Sequence, residues 1–274
     1  FKLGAPVGFK DYMWEALKDP AAGINMIQTA ENLAKKYGIT REQVDEFAAA
    51  SFAKAVAAQQ SGFLAGETVP VVSEKFELEG YQPRGIKLQG KTTEVAQDTH
   101  PRPSPLDVLA KLRPVFEGGV QTGGNSSALV DAAAAAVVAS GAYANANGKQ
   151  PLARIVGAAA VGVPPEIMGI GPAPAIRLLL ERTDLKFQDI GRFEVNEAQG
   201  AQTLSVAKEL GMDLARLNVN GGAIALGHPL AATGVRLTIT LAREMQRAGV
   251  KYGISSACVG GGQGIALLLE NPAA

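Results

Sequence analysis

Cys258 is the only cysteine among 274 residues, and it lies thirty positions after His228, one of two histidines. Both stand in glycine-rich strings. One reads Gly221-Gly222-Ala223-Ile224-Ala225-Leu226-Gly227-His228-Pro229, the other Ser256-Ala257-Cys258-Val259-Gly260-Gly261-Gly262-Gln263-Gly264. Thiol and imidazole are the side chains best suited to moving protons near neutral pH. Glycine beside them lets backbone approach a substrate closely. One thiol serves poorly as both nucleophile and acid/base, so these residues are expected to form part of a site. The glycine turn after Cys258 frees backbone N–H groups for an anion. The alternative is a buried structural cysteine, since free Cys is among the most buried residue types. His228 precedes Pro229 at an expected helix start, where the dipole favours the neutral imidazole, a group able to take a proton from a thiol. The alternative there is a capping histidine. Asn196-Glu197-Ala198 follows an expected strand end, where α/β proteins place ligands; its alternative is an ordinary strand-to-helix turn. His100, in Asp98-Thr99-His100-Pro101-Arg102-Pro103, reads as structural.

The bulk properties narrow the classes. Hydrophobic content of 47% and charged content of 19% describe a globular chain with a sizeable core. Net charge is zero, which argues against a broad nucleic-acid surface. A single cysteine excludes an intrachain disulfide framework and fits a reducing compartment. No apolar run approaches a membrane span. The first residue is Phe1 and no secretory pattern follows, so the chain is expected to begin inside a longer product. Gly157-Ala158-Ala159-Ala160-Val161-Gly162 is not a dinucleotide fingerprint, Gly118-Gly119 and Gly123-Gly124 do not form a phosphate loop, and no residue cluster has metal-ligand spacing.

The elements that must position these groups follow from periodicity. Residues 1–37 are mixed. Thr40 and Gln43 have capping-box spacing ahead of a helix ending near Gly62. Residues 68–72 and then 74–80 alternate like short strands, with Pro70 pointing to an edge. A proline-rich loop at 98–105 leads to a short helix, Pro105 to Leu112. Asn125 to Ala144 reads as an alanine-rich helix buried on most sides. The second half alternates strand and helix, which makes it α/β. Strands are expected at Ala153–Gly162, Ile190–Val195, Tyr252–Ala257 and Gly264–Leu269. Helices are expected at Pro172–Arg182, Gln202–Leu210 and Pro229–Ala248.

The two glycine strings resemble the C-terminal signatures of thiolases, and Asn196-Glu197-Ala198 resembles a third. Further matches run in the family's order: Thr29-Ala30-Glu31-Asn32-Leu33-Ala34, Asp98-Thr99-His100-Pro101-Arg102, Leu109-Ala110-Lys111-Leu112-Arg113-Pro114-Val115-Phe116, Gly124-Asn125-Ser126-Ser127 and Met168-Gly169-Ile170-Gly171-Pro172. The resemblance implies a five-layer αβαβα fold, here incomplete, with an inserted α+β loop domain that covers coenzyme A. It divides the chain into the loop domain at 1–121, the last part of the N-terminal half at 122–150 and the C-terminal half at 151–274.

It also implies acyl transfer with coenzyme A as substrate and no cofactor: thiolysis of 3-ketoacyl-CoA, or the reverse Claisen condensation of acyl-CoA. The family's nucleophilic cysteine is expected on an N-terminal segment absent from these residues, which would leave this chain alone inactive. Cys258 then matches the acid/base cysteine, expected to have its pKa lowered by an imidazole or donor. His228 matches the histidine that activates the nucleophile and helps hold an oxyanion, Asn196 the residue that positions a water in one oxyanion site, and the Gly260 N–H a donor of the other. Ser127 resembles a serine on the pantetheine arm, Met168 and Ala198 line the channel, and Met26 stands where the family carries a His-Met pair, here Asn25-Met26.

Gln199 replaces the family's phenylalanine, and Ala231 its glycine. Implied partners are acyl-CoA, CoA, the N-terminal segment and further copies, as a homodimer or homotetramer, with neither nucleic acid nor a membrane span. The compartment would be cytoplasmic in a bacterium and mitochondrial or peroxisomal in a eukaryote. Two rivals are a non-catalytic CoA-ester-binding subunit of a heteromeric complex and a ketoacyl-synthase-like condensing enzyme.

Overall fold

The computed structural model describes residues 9–274; the first eight residues of the expected 1–121 unit lie outside them. The helices are α1 (Tyr12–Ala16), α2 (Met26–Tyr37), α3 (Arg41–Gln60), α4 (Leu106–Leu109), α5 (Gly141–Ala146), α6 (Pro172–Thr183), α7 (Gly200–Leu210), α8 (Ala223–Leu226) and α9 (Thr233–Ala248). The strands are β1 (Val71–Val72), β2 (Glu74–Phe76), β3 (Arg84–Ile86), β4 (Glu94–Val95), β5 (Arg154–Gly162), β6 (Ile190–Val195), β7 (Tyr252–Val259) and β8 (Gln263–Glu270). Two antiparallel ribbons pair β1 with β4 and β2 with β3. The main sheet has the order β5-β8-β7-β6. β6 runs parallel to β7, and the other two pairings are antiparallel. The chain is therefore mixed α/β.

Alternation along the strands explains the layers. Ala266 and Leu268 of β8 join Ile176 and Leu179 of α6 in one core, whereas Leu267 and Leu269 pack with Leu241 and Met245 of α9. Successive strand side chains point to opposite faces, so α6 and α9 cover opposite sides of the sheet. On the α6 side, the core continues through Leu33 of α2, Phe47 and Phe52 of α3 and Val206 of α7. Phe193 of β6 lies there too, 1% exposed, and burial of such a side chain contributes about 1.5–3 kcal/mol.

The capping box at α3 forms as its spacing requires, with Gln43 N–H donating to Thr40 Oγ1 and Thr40 N–H donating to Gln43 Oε1. α2 arises where residues 1–37 read as mixed. Asn25 Oδ1 caps it by accepting from Gln28 N–H, and Gly38, at φ 62°, closes it.

Three expectations need correction. The helix expected over Asn125–Ala144 is reduced to α5, and residues 127–140 have no regular structure. An apolar helix is stabilised by burial of its faces; every residue of 131–143 is exposed, so nothing covers one there. The helix expected from Pro229 begins at Thr233, after a turn. The helix expected over Pro105–Leu112 shrinks to Leu106–Leu109. Among the described residues, no helix is long and apolar enough to cross a membrane.

Gly171, which opens α6, meets Gly264 of β8 backbone to backbone. A methyl group on Gly264 would strike the Gly171 carbonyl, and one on Gly171 would strike the Gln263 carbonyl. Gly264→Ala is expected to cost about 1–3 kcal/mol, the range for overpacking. Urea denaturation would show this as a lower midpoint at an unchanged slope; an unchanged midpoint would refute the close packing.

Candidate active site

β6 and β7 end side by side, and that brings three sequence strings together. Val195 pairs with Ser256, and the next residue, Asn196, donates its N–H to Ser256 O at 2.9 Å. Cys258 stands two positions beyond Ser256, near the end of β7. Its sulfur side packs with Met168 and Ala198, and Met26 closes against the same cluster. Ser127 reaches Ala198 from the other side, donating both its N–H (3.1 Å) and its hydroxyl (2.9 Å) to Ala198 O.

His228 is placed by its glycine string. Gly227 takes a φ of 97°, open to glycine at little cost, and a side chain there would strike Val130. His228 N–H donates to Ala128 O at 2.9 Å. The ring lies between two polar partners, Asn196 Nδ2 at 3.2 Å from Nε2 and Thr233 Oγ1 at 2.7 Å from Nδ1. The Thr233 hydroxyl donates its own proton to Pro229 O at 3.0 Å. It therefore accepts from Nδ1–H, and Nε2 accepts from Asn196. This is the tautomer with its lone pair toward Asn196. An open pocket of about 330 Å³ adjoins the ring, lined by Met13, Leu129, Val130, Asp131, His228 and Leu230.

Electrostatics sets the resting protonation. Burial, with a smaller contribution from the Arg236 charge, pushes the His228 imidazole down to about 4, so it is neutral at pH 7. The neutral state is thus as expected, but burial rather than a helix beginning at Pro229 is its main cause. Cys258 departs from expectation. Burial pushes its thiol up to about 12, and only its own backbone N–H opposes this. Its apolar neighbours are Met26, Met168 and Ala198, and no neighbouring charge contributes to the shift. The resting group is a protonated thiol.

The turn after Cys258 is held from three directions. Val163 N–H donates to Gly262 O (2.7 Å), Gln263 Nε2 donates to Gly260 O (3.0 Å) and Gly261 N–H donates to Asp19 Oδ2 (2.8 Å). Among the described residues, the Gly260 N–H has no acceptor.

Beneath Asn196, the carboxyl of Glu197 accepts from Ser51 Oγ–H (2.6 Å), Asn218 Nδ2–H (2.8 Å) and Ile224 N–H (3.3 Å). Burial raises its pKa, and the Ser51 and Asn218 hydrogen bonds offset part of that rise. Asn218, at φ 45°, also takes both backbone groups of Val195 at 2.9 Å. Glu197 thus ties α3, β6 and the string before His228 together. Sequence reasoning missed Thr233, Glu197, Asn218 and Asp19 as contributors. Thr233 alone left a local signal, a hydroxyl five positions after the histidine. His100 does sit in a loop environment: it lies against the Phe52 ring at 6.2 Å, and its carbonyl accepts from Arg102 at 2.9 Å. Among the described residues no group of His, Cys, Asp and Glu has the arrangement of a metal site.

A mixed α/β fold carrying a thiol and a carboxamide at the ends of adjacent strands, with an imidazole against the carboxamide, defines a class capable of proton transfer and anion stabilisation. Comparison with known proteins makes the assignment specific. Residues 6–142 match the family model described as thiolase, N-terminal domain, and residues 149–271 match thiolase, C-terminal domain. The chain belongs to the thiolase family. It is 43% identical over 99% of its length to the mitochondrial 3-ketoacyl-CoA thiolase of Bos taurus, of which it covers 66%, and 46% identical over 95% of its length to an acetyl-CoA acetyltransferase of Pseudomonas aeruginosa, of which it covers 63%. The crystal structure of human mitochondrial 3-ketoacyl-CoA thiolase in complex with CoA superposes with a TM-score of 0.87 at 39% identity, covering 99% of this chain and 65% of that one. The chain thus spans a little less than two thirds of the length of the curated relatives it matches.

Proposed function

We propose that the protein is a thiolase-type acyltransferase, which cleaves 3-ketoacyl-CoA with CoA or condenses acyl-CoA in the reverse direction. The carrying observation is the convergence of Cys258, the Asn196–His228 pair and the Met26–Met168–Ala198 wall at the ends of β6 and β7. The relatives' names and the CoA-bound structure support coenzyme A as the substrate carrier.

Cys258 is the acid/base. As a thiol at rest, it is set up to give its proton to the α-carbanion released when a 3-ketoacyl thioester breaks; in condensation the resulting thiolate removes the α-proton. The enolate oxygen needs preorganised donors for that proton to move. Asn196 Oδ1, buried and without a partner, is available to hold a water that serves as one. The Gly260 N–H supplies a donor for the thioester oxygen of the acyl transfer step. His228, neutral with its Nε2 lone pair toward Asn196, takes the proton of the nucleophilic thiol. Ser127, Met168, Ala198 and Met26 border the acyl and pantetheine channel.

With Cys258 committed to proton transfer, full turnover draws its nucleophilic thiol from outside these 274 residues, and the chain by itself does not complete the acyl transfer. The division at 121 and 150 into loop domain, N-terminal piece and C-terminal half, and assembly into a dimer or tetramer, belong to the same proposal.

The half of the chemistry assigned to these residues can be tested alone. Acetyl-CoA incubated with the intact protein in D2O is expected to lose its methyl protons, followed by NMR. Tight CoA-ester binding with no exchange would refute the proposal in favour of a non-catalytic binding subunit.

Thr233 should matter through His228. Thr233→Val removes the acceptor that fixes the tautomer, and the rate of full turnover is expected to fall about 10- to 100-fold, the range for groups that orient a functional histidine. An unchanged rate would exclude that role.

A further inference from the structure

We infer that Asp19 is a positioning residue for the turn after Cys258, and that the segment 17–26 acts as a clasp holding the Gly260 donor in place. The inference rests on the proposed role of the Gly260 N–H as an anion donor. Asp19 is 1% exposed, although it lies on an irregular stretch between α1 and α2. Its stretch folds back on itself: Asp19 N–H donates to Ile24 O, Gly23 N–H to Asp19 O and Met26 N–H to Leu17 O. The two carboxyl oxygens then divide their work. Oδ1 accepts from Ala21 N–H (2.8 Å) and Ala22 N–H (2.9 Å), which closes the local turn. Oδ2 crosses 242 positions of sequence to accept from Gly261 N–H at 2.8 Å.

A turn-capping aspartate needs only the first oxygen. The second has one effect, which is to fix the peptide next to the free donor. Met26, at the other end of the same segment, packs on the Cys258 cluster. It is also the nearest group to the open side of Gly260, about 3.9 Å from where a side chain would begin. The segment thus touches the cysteine turn twice, once through a charged hydrogen bond and once through a thioether. Backbone N–H donors, those of Ala22 foremost and of Gly261 and Ala21 after it, hold the Asp19 carboxyl below the ordinary range against its burial. It stays ionised across the working pH range, as a permanent acceptor should. Gln263 and Val163 hold carbonyls of this turn, and Asp19 supplies the acceptor for its Gly261 N–H.

Asp19→Asn separates the two oxygens. The amide keeps an oxygen for Ala21 and Ala22, but its nitrogen cannot accept from Gly261. In the intact protein, hydrogen exchange of the Gly261 amide is expected to accelerate at least about tenfold, and acylation of the nucleophilic thiol by acetyl-CoA to slow about 10- to 100-fold with the KM for acetyl-CoA within about twofold, because a donor loses its fixation while binding surfaces persist. Asp19→Ser, whose hydroxyl can still cap its own turn, guards against a folding defect and should behave alike.

Unchanged Gly261 amide exchange in both variants would overturn the clasp. Faster amide exchange with unchanged acylation of the nucleophilic thiol would overturn its positioning role. A wild-type protein that fails to exchange α-protons would instead refute the site itself, and this inference with it; the Gly261 amide rates tell that failure from a failure of the clasp alone.

Discussion

In Cys258→Ala, α-proton exchange, condensation and thiolysis are all expected to fall about 10²–10⁴-fold, the contribution of a positioned acid/base. Acylation of the nucleophilic thiol should survive in part, because that step does not use the Cys258 proton. The small, nearly enclosed site makes the substitution mild for the fold: it removes one sulfur among Met26, Met168 and Ala198. Loss of stability should stay near about 1 kcal/mol, at the low end of large-to-small core changes. Rate loss without unfolding therefore separates chemistry from packing. The pH profile adds a second check. With the thiol held up to about 12, the proton-donating direction should not decline between pH 8 and about 9, where an unperturbed thiol ionises. Turnover near the wild-type level in Cys258→Ala would remove the assigned role.

His228→Ala is expected to lower full turnover about 10²–10³-fold, comparable to removing one preorganised group from an anion site. Two features of the ring sharpen this. Asn196 and Thr233 hold both nitrogens, so the ring is oriented before substrate arrives. Its pKa near 4 keeps the base form present at neutral pH. The acidic limb of the wild-type rate profile should accordingly reflect a group near 4, not one near 6.5.

The same shift links to stability. Between pH 6.5 and 4 the unfolded chain binds a proton that the folded ring refuses, so stability contributed by the neutral ring is present above 6.5 and is lost as pH falls toward 4. His228→Ala should flatten that part of the stability profile, read as denaturation midpoints at each pH. An acidic limb at 6.5 in the wild type would show that the ring is not buried as described.

Much of the second half was legible because its patterns are local. Ile190–Val195, with Ile190, Phe193 and Val195, ends at the Asn196-Glu197-Ala198 string, and β6 has those bounds. Glycine marks the exits of α7 and α9, where Gly211 and Gly249 take left-handed conformations. The meeting of Asn196, His228 and Cys258 was legible only through resemblance, since no spacing rule links residues 32 and 62 positions apart. Illegible parts depend on distant partners. Asp19 gains its role from Gly261, and Glu197 gains its from Ser51 and Asn218.

Alanine-rich 125–144 misled for the opposite reason. Its propensity favours helix, but helices in proteins draw most of their stability from burial, and residues 131–143 have none here. The thiol pKa also went against expectation. The sequence places imidazole and glycine donors in the same site, but burial beside Met26, Met168 and Ala198 sets the thiol, with no neighbouring charge contributing.

The central claim is that Cys258 moves protons and does not carry the acyl group. Acid quenching of the intact protein during turnover with an acyl-CoA, followed by proteolysis and peptide mass analysis, tests it most directly. The account predicts an unmodified Cys258 peptide while α-protons of acetyl-CoA exchange with solvent. An acyl thioester on Cys258 would contradict it, because the only thiol of this chain would then be the nucleophile.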